Sequence, residues 1–391
     1  MSIRGKAYIV GAYEHPLRFA PDHSLAQLHA EVAKGALADA GLSRNDVDAY
    51  LSAGDAPGMG VISMADYMGL KLSYMDSTET GGSSYVAHVG HAAAAIAAGK
   101  CHVALITLAG RPRAEGMQTG TGVRPYFLDA PETGFENVFG ITVVGMYAMA
   151  ARRHMHEYGT TSAQLAAIKV AAAEHAMHNP HAMVRKPLTV DDVLASPLVS
   201  DPLHLMDCCV ISDGGGALVV VSEAVKKSLK REGAKILGHG EAPKHLMGGR
   251  VDLTHTGAVF SGPRAFAEAG VTPQDIDYAS IYDSFTITVL ETIEDLGFCP
   301  RGQGGPFVAD GNLRSPHGKL PWNTDGGGLC NNHPANRGGM TKVIEAVRQI
   351  RGEAHPAVQV KNCQLALAHG TGGSIGTRMG SATVILGKED A

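Results

Sequence analysis

A fourteen-residue motif that occurs twice constrains this chain more than any other feature. Residues 36–49, ALADAGLSRNDVDA, align without a gap with residues 265–278, AFAEAGVTPQDIDY, and six positions are identical: three Ala, one Gly and two Asp. The paired glycines, Gly41 and Gly270, stand 229 residues apart. That offset is far longer than a solenoid period and points to two homologous halves. Each copy reads as a helix end with a glycine in the left-handed cap position, then Ser43 or Thr272 as the N-cap of a further turn, then a strand after the second aspartate.

The stretches after the two copies run in parallel. The first is followed by the strand AYLSAG, the segment GGSSYVAHVGHAAAAIAAG and the strand HVALITL. Small residues recur through the middle segment at helical spacing, which predicts a tightly packed central helix between parallel strands. The second copy is followed by YASIYDSF, the glycine-rich turn NTDGGGLCNNHPANRGG, the helix TKVIEAVRQIRGE and the strand QLALAHG. Both halves thus read βαβ. We expect an N-terminal half over 1–235, carrying an inserted helical lobe over about 111–206, and a C-terminal half over 236–391. At 391 residues and 45% hydrophobic content the chain can bury two such cores.

Charge and cysteine usage exclude several function classes. A net charge of -5 with no basic block lacks the electrostatic footprint of a nucleic-acid binder. The longest apolar stretches are too short and too Ala-rich to span a bilayer, and MSIRGKAYIVGAYEHP has no signal core, so a soluble cytoplasmic protein is expected. The six cysteines, at 101, 208, 209, 299, 330 and 363, form no CxxC pair and read as reduced thiols. The 19 histidines never take a zinc-site spacing, so no metal is expected.

Five stretches carry a resemblance: AHVGHAAAAIAAG (87–99), NPHAMVRKPLTVDDVL (179–194), SDGGGALVVVSEA (212–224), YDSFTITVLETIEDLGFCPRGQGG (282–305) and NTDGGGLCNNHP (323–334). In this order they resemble the thiolase superfamily, in the branch of the sterol carrier protein thiolases and bacterial lipid-transfer-type thiolase-like proteins. The resemblance covers nearly the whole chain. It implies an α/β protein with a thiolase-like layered αβαβα fold of two homologous halves. It also implies a homodimer, with the strand HVALITL and the helix before it as dimer-forming elements.

The catalytic positions depart from that family. A thiolase needs a thiolate at a helix N-terminus, where the dipole lowers the thiol pKa. Counted back from Gly99, the nucleophile position falls on Gly82, beside Ser83 and Ser84, and no cysteine is near. A serine hydroxyl is a far poorer nucleophile without an adjacent base, so GGSSY reads better as a glycine-rich helix entry that lets substrate approach. The branch's HDCF motif is YDSF here, with Tyr282 for His and Ser284 for Cys, and the C-terminal loop HGTGGSIG has Gly370 at the remaining thiol position. A Claisen-type transfer through an acyl-cysteine is therefore not open to this chain.

What remains is His333 of CNNHP, which matches the family's GHP histidine and would sit beside the vacant position as base or oxyanion donor. Tyr282 places a phenol where the family binds the oxyanion, Asp283 is a candidate to orient it, and Asn332 and His369 complete a polar cluster. Backbone N–H groups of the loop at His369, Gly370, Gly372 and Gly373 are candidates for an enolate hole. Arg185, Lys186 and Lys244 are weak candidates for the CoA phosphates.

GGSS in place of the cysteine motif, with tyrosine in YDSF, resembles the steroid side-chain aldolases of this branch. That resemblance implies retro-aldol cleavage of a β-hydroxyacyl-CoA through an enolate, no covalently bound cofactor, and a small zinc-ribbon OB-fold companion protein. It departs at His333, where those aldolases carry a second tyrosine. The competing readings are an acetyl-CoA acetyltransferase-like acyltransferase and a degenerate thiolase that binds acyl-CoA or lipid or scaffolds a partner.

Overall fold

The computed structural model describes residues 2–119, 142–245, 251–334, 338–375 and 379–390; residues 120–141 of the expected lobe and Gly376 of the HGTGGSIG segment lie outside them. The first part of the chain runs β1 (Ala7–Glu14), α1 (Leu25–Ala40), β2 (Ala49–Leu51), α2 (Val61–Met68), β3 (Tyr74–Asp76), α3 (Ser84–Ala97) and β4 (Val103–Gly110). Then come α4 (Val143–Tyr158), α5 (Ser162–Ala176), α6 (Val190–Leu194), the hairpin β5 (Leu198–Ser200) and β6 (Leu203–His204), β7 (Gly214–Ser222) and α7 (Glu223–Ser228). The remainder runs β8 (Ala234–Lys244), α8 (Ala258–Ala269), β9 (Tyr278–Ile281), α9 (Thr286–Asp295), α10 (Gly304–Ala309), α11 (Gly327–Cys330), α12 (Gly339–Arg351), β10 (Leu365–Gly373) and β11 (Met379–Gly387). The boundary expected after residue 235 falls two residues into β8.

The repeated motif folds as its residues dictate. Gly41 closes α1 at φ 69° and Gly270 closes α8 at φ 66°, a conformation that costs glycine nothing. Ser43 and Thr272 then start matching turns in which Asp46 and Asp275 each accept the cap residue's backbone N–H at 2.8 Å. β2 and β9 follow.

The main sheet has the order β3-β2-β4-β7-β1-β8-β11-β10-β9; outward from the β1/β8 seam, β1-β7-β4-β2 is matched by β8-β11-β10-β9, and β3 is an extra edge strand on the first side. β2 lies parallel to β4, as β9 does to β10, while β7 and β11 are antiparallel to their neighbours. α1 covers one face of the first half, where Val32 and Leu37 meet Val10, Leu105 and Val219. α3 and α12 are sandwiched centrally, packing Tyr85, Val89, Val343 and Ile344 against both Ile106 and Leu218 and Ala366 and Val384. α8 and α9 close the far side on Leu237, Leu367 and Ile385. The layers are therefore αβαβα.

α3 is almost wholly buried because its residues are small: a Cβ at Gly90 would come 2.2 Å from the His239 ring. β4 pairs on both sides, with β2 and β7, so neither it nor α3 offers the outward surface expected of dimer-forming elements. The open edge of the sheet at this end is β3.

Candidate active site

Tyr282 leaves the end of β9 with its N–H donated to the His369 carbonyl at 3.0 Å, which extends the β9/β10 pairing by one step. His333 leaves the single turn of α11 with its N–H donated to Ser212 Oγ at 2.9 Å. These two tethers bring the side chains together: Tyr282 Oη lies 2.8 Å from His333 Nε2, with the rings edge to face. Both residues are buried, each 4% exposed. Phe285, three residues on, stacks on Tyr147 at 4.3 Å and fixes the YDSF turn.

The phenol ring lies against Gly82, the position at which the nucleophile was expected. A Cβ at Gly82 would stand 2.4 Å from Tyr282 Cε2 and 2.3 Å from the Thr371 carbonyl oxygen. No side chain fits there while Tyr282 is in place. Gly372 is equally constrained, since a Cβ would lie 1.7 Å from the Thr80 carbonyl, so the strand's glycines let the 80–83 turn approach. Burial pushes the Tyr282 phenol well above its ordinary pKa, the neighbouring Cys209 and Tyr147 add to this, and the Gly338 N–H opposes it. The phenol is thus protonated at neutral pH and shares a hydrogen bond with the His333 imidazole, the donor being set by the ring's tautomer.

The other expected site residues divide. Asp283 spends its carboxylate on other groups: it accepts Gly328 N–H at 2.8 Å and Leu329 N–H at 3.0 Å and pairs with buried Lys342 at 2.7 Å. It anchors the start of α11 rather than orienting Tyr282. Ser83 Oγ donates to the Thr80 carbonyl at 2.8 Å, and Ser84 Oγ accepts the Thr80 N–H at 2.8 Å, so both serines lock the turn. Ser284 bonds Thr288 at 3.1 Å.

Three expectations are corrected. His369, Gly370, Gly372 and Gly373 belong to β10, paired residue for residue with β11, and do not form a loop. Strand alternation turns the His369 ring to the opposite face, where Nδ1 meets Thr383 Oγ1 at 2.8 Å and burial lowers its pKa to about 3. It is no part of the Tyr282–His333 cluster. Lys244 is buried, its ammonium held by the carbonyls of Asp252, His255 and Ile375, so it cannot meet a CoA phosphate. Arg185 and Lys186 are exposed at the surface.

Sequence reasoning missed Ser212, Lys342, and the carboxylate that holds the segment before His333. Glu14 accepts from both Asn331 and Asn332. The asparagine pair was visible in CNNHP, but its partner lies more than three hundred residues upstream. Burial raises all six thiols: Cys101 to about 11, Cys208, Cys299 and Cys363 to about 12, and Cys209 and Cys330 likewise upward. Among the described residues no His, Cys, Asp or Glu cluster could hold a metal ion, and no helix is long and apolar enough to cross a membrane.

Residues 240–388 match the family model described as Thiolase C-terminal domain-like. Over 91% of this chain and 93% of the relative, it is 33% identical to an acetyl-CoA acetyltransferase of Methanothermobacter thermautotrophicus. The chain belongs to the thiolase superfamily. Within it, the chain is 36% identical to the 17-hydroxy-3-oxo-4-pregnene-20-carboxyl-CoA lyase of Mycobacterium tuberculosis, over 90% of this chain and 92% of that one. It also superposes on a solved structure named Ltp2-ChsH2(DUF35) aldolase with a TM-score of 0.89, 34% identity and full coverage of both chains. The chain therefore keeps the fold of the family, and its site holds a phenol and an imidazole in contact, with no cysteine at 82, 284 or 370.

Proposed function

We infer that this chain is an enzyme that cleaves a carbon–carbon bond of a β-hydroxyacyl-CoA thioester by a retro-aldol route. The observation that carries the reading is the 2.8 Å contact between Tyr282 Oη and His333 Nε2, with the phenol filling the space over Gly82. The lyase and aldolase names of its relatives support it. The substrate's β-hydroxyl gives its proton to Tyr282 Oη as Tyr282 gives its own to His333 Nε2. The Cα–Cβ bond breaks, the β-carbon leaves as a ketone or aldehyde, and the electron pair passes to the thioester as an enolate. The proton then returns through the phenol to Cα, giving the shortened acyl-CoA. A relay suits a phenol whose pKa is raised by burial, because a free phenolate need never form. No acyl acceptor takes part, so no nucleophile is needed at Gly82.

A transferase reading, suggested by the name of the Methanothermobacter relative, gains no support from Ser83 and Ser84 beside Gly82, whose hydroxyls are engaged by Thr80. The deciding experiment offers purified protein a panel of β-hydroxyacyl-CoA and β-ketoacyl-CoA thioesters and identifies products by mass. Cleavage of hydroxyacyl substrates without free CoA is expected. Turnover of only the ketoacyl substrates, and only with free CoA, would replace the aldolase by a transferase.

Two assemblies complete the proposal. We place a homodimer contact at the open edge of β3 and the adjoining α2, where Met59, Ile62, Tyr67 and Met75 are exposed. The DUF35 protein in the name of the superposed aldolase supports a companion subunit, which the notional zinc-ribbon OB-fold protein would supply. The two homologous halves, divided near residue 235, are supported by the mirrored strand order.

A further inference from the structure

Glu14 ends β1, the strand at the central seam of the sheet, yet its carboxylate gathers the segment that carries His333. Oε1 accepts from Asn331 Nδ2 at 3.0 Å, from Asn332 Nδ2 and from Arg18 Nη2. Oε2 accepts from Arg348 Nη1 at 3.1 Å. Arg18 closes the ring by donating to Asn331 Oδ1 at 2.8 Å, and Asn331 Nδ2 also reaches Asp325 Oδ2 at 2.9 Å. Asn331 and Asn332 directly precede His333.

The segment has little stiffness of its own. α11 is one turn of four residues, entered through Gly326 and Gly327 at positive φ, and a single glycine-rich turn does not hold its shape unaided. Its rigidity must come from side-chain ties. The backbone supplies one at Ser212, and the Met183 N–H meets the Asn331 carbonyl at 3.3 Å. The Glu14 carboxylate supplies the ties to both asparagine side chains.

We propose that Glu14 is a positioning residue, which fixes Asn331, Asn332 and His333 so that the imidazole stays within hydrogen-bond reach of Tyr282. The inference rests on the reading that these two groups relay protons. Glu14 is ionised, since burial would raise its pKa but Arg18 and Arg348 hold it below the ordinary value. An amide in its place leaves the buried Arg18 guanidinium and the half-buried Arg348, which keeps Glu345, short of one counter-charge and turns an N–H group toward one set of donors. A shift of about 1 Å in a reacting pair costs on the order of a hundredfold in rate.

Glu14→Gln is therefore expected to lower kcat for β-hydroxyacyl-CoA cleavage by roughly ten- to a hundredfold while KM changes by less than about threefold. A purely structural role would lower the folded fraction and leave kcat per folded molecule unchanged. Wild-type kcat in folded Glu14→Gln, or a loss confined to KM, overturns the proposal. Should Glu14→Gln not fold, Asn332→Ala removes one tie and leaves the ion pairs intact, and the same split decides. A crystal structure of the folded variant adds a readout that needs no turnover. A Tyr282–His333 separation beyond hydrogen-bond reach supports positioning, and an unchanged 2.8 Å refutes it even if the wild type cleaves none of the thioesters.

Discussion

Tyr282→Phe separates chemistry from architecture more cleanly than any other substitution in this chain. Phenylalanine keeps the ring that fills the space over Gly82, so no cavity opens, and the Phe285 to Tyr147 stack below it is untouched. What is lost is the buried hydrogen bond of 2.8 Å to His333 Nε2, together with the tie to the Gly338 N–H. Losing such a bond costs about 1 to 3 kcal/mol of stability, well within the roughly 5 to 15 kcal/mol that a folded domain holds in reserve. The same atom carries the proton in the relay, and losing an acid/base group costs about a hundredfold or more in rate, equivalent to roughly 3 kcal/mol of barrier. The variant should melt cooperatively and bind thioester nearly as before, while kcat for release of the ketone and the shortened acyl-CoA falls at least a hundredfold. Because the phenol and imidazole act as a unit, adding His333→Ala to Tyr282→Phe should cost little beyond either change alone. Folded Tyr282→Phe with wild-type kcat, or a double variant whose losses multiply, would refute the relay.

Four further outcomes follow from the geometry. Gly82→Ala, whose methyl would stand 2.4 Å from the Tyr282 ring and 2.3 Å from the Thr371 carbonyl oxygen, should destabilise by about 1 to 3 kcal/mol and abolish turnover, and because the backbone clash persists, pairing it with Tyr282→Ala should not restore the melting temperature. Thiol-specific alkylation of the native enzyme should be slow and leave kcat intact, because five of the six thiols are buried and burial raises the half-buried sixth, Cys299, to about 12; loss of turnover on blocking one thiol would show the site to be elsewhere. His369, with a pKa lowered to about 3, contributes stability that is fully present above its unfolded value near 6.5 and is lost as pH falls toward 3. Relative to wild type, His369→Gln should therefore lose on the order of 2 kcal/mol less stability between pH 7 and pH 5, measured by urea unfolding. Light scattering at micromolar concentration should report a dimer, and Ile62→Asp on the exposed face of α2 should shift it to monomer; a wild-type monomer removes the dimer proposal.

What could be read in the sequence was set by short-range rules. The repeated motif was legible because helix caps act over three or four residues, and Gly41, Ser43 and Asp46 recur as Gly270, Thr272 and Asp275 with the same hydrogen bonds. The Ala-rich run of α3 announced close packing for the same reason. The meeting of Tyr282 with His333 was legible only through resemblance, since no periodicity brings YDSF to CNNHP across 51 residues of chain. His369 was misplaced although the signal was present: HGTGG continues a strand, and alternation alone sends residues 369 and 370 to opposite faces. Lys244 had no such signal, because a lysine caged by three carbonyls reads like any surface lysine. Glu14 was invisible for a different reason, as the loop it holds is built from the far end of the chain.

The exchange of residues at this site is coupled by volume as well as by chemistry. A cysteine at position 82 would need the space that the Tyr282 ring and the Thr371 carbonyl occupy, and a smaller residue at 282 would leave the ring's space empty. Neither position can change alone without either a clash or a cavity. The chemistry runs the same way. A retro-Claisen reaction needs an acceptor for the acyl group, whereas a retro-aldol reaction needs only a path for one proton from the β-hydroxyl and back to Cα. In the retro-aldol route we infer, the glycine at 82 leaves room for the phenol, and the phenol beside His333 is the group that carries that proton.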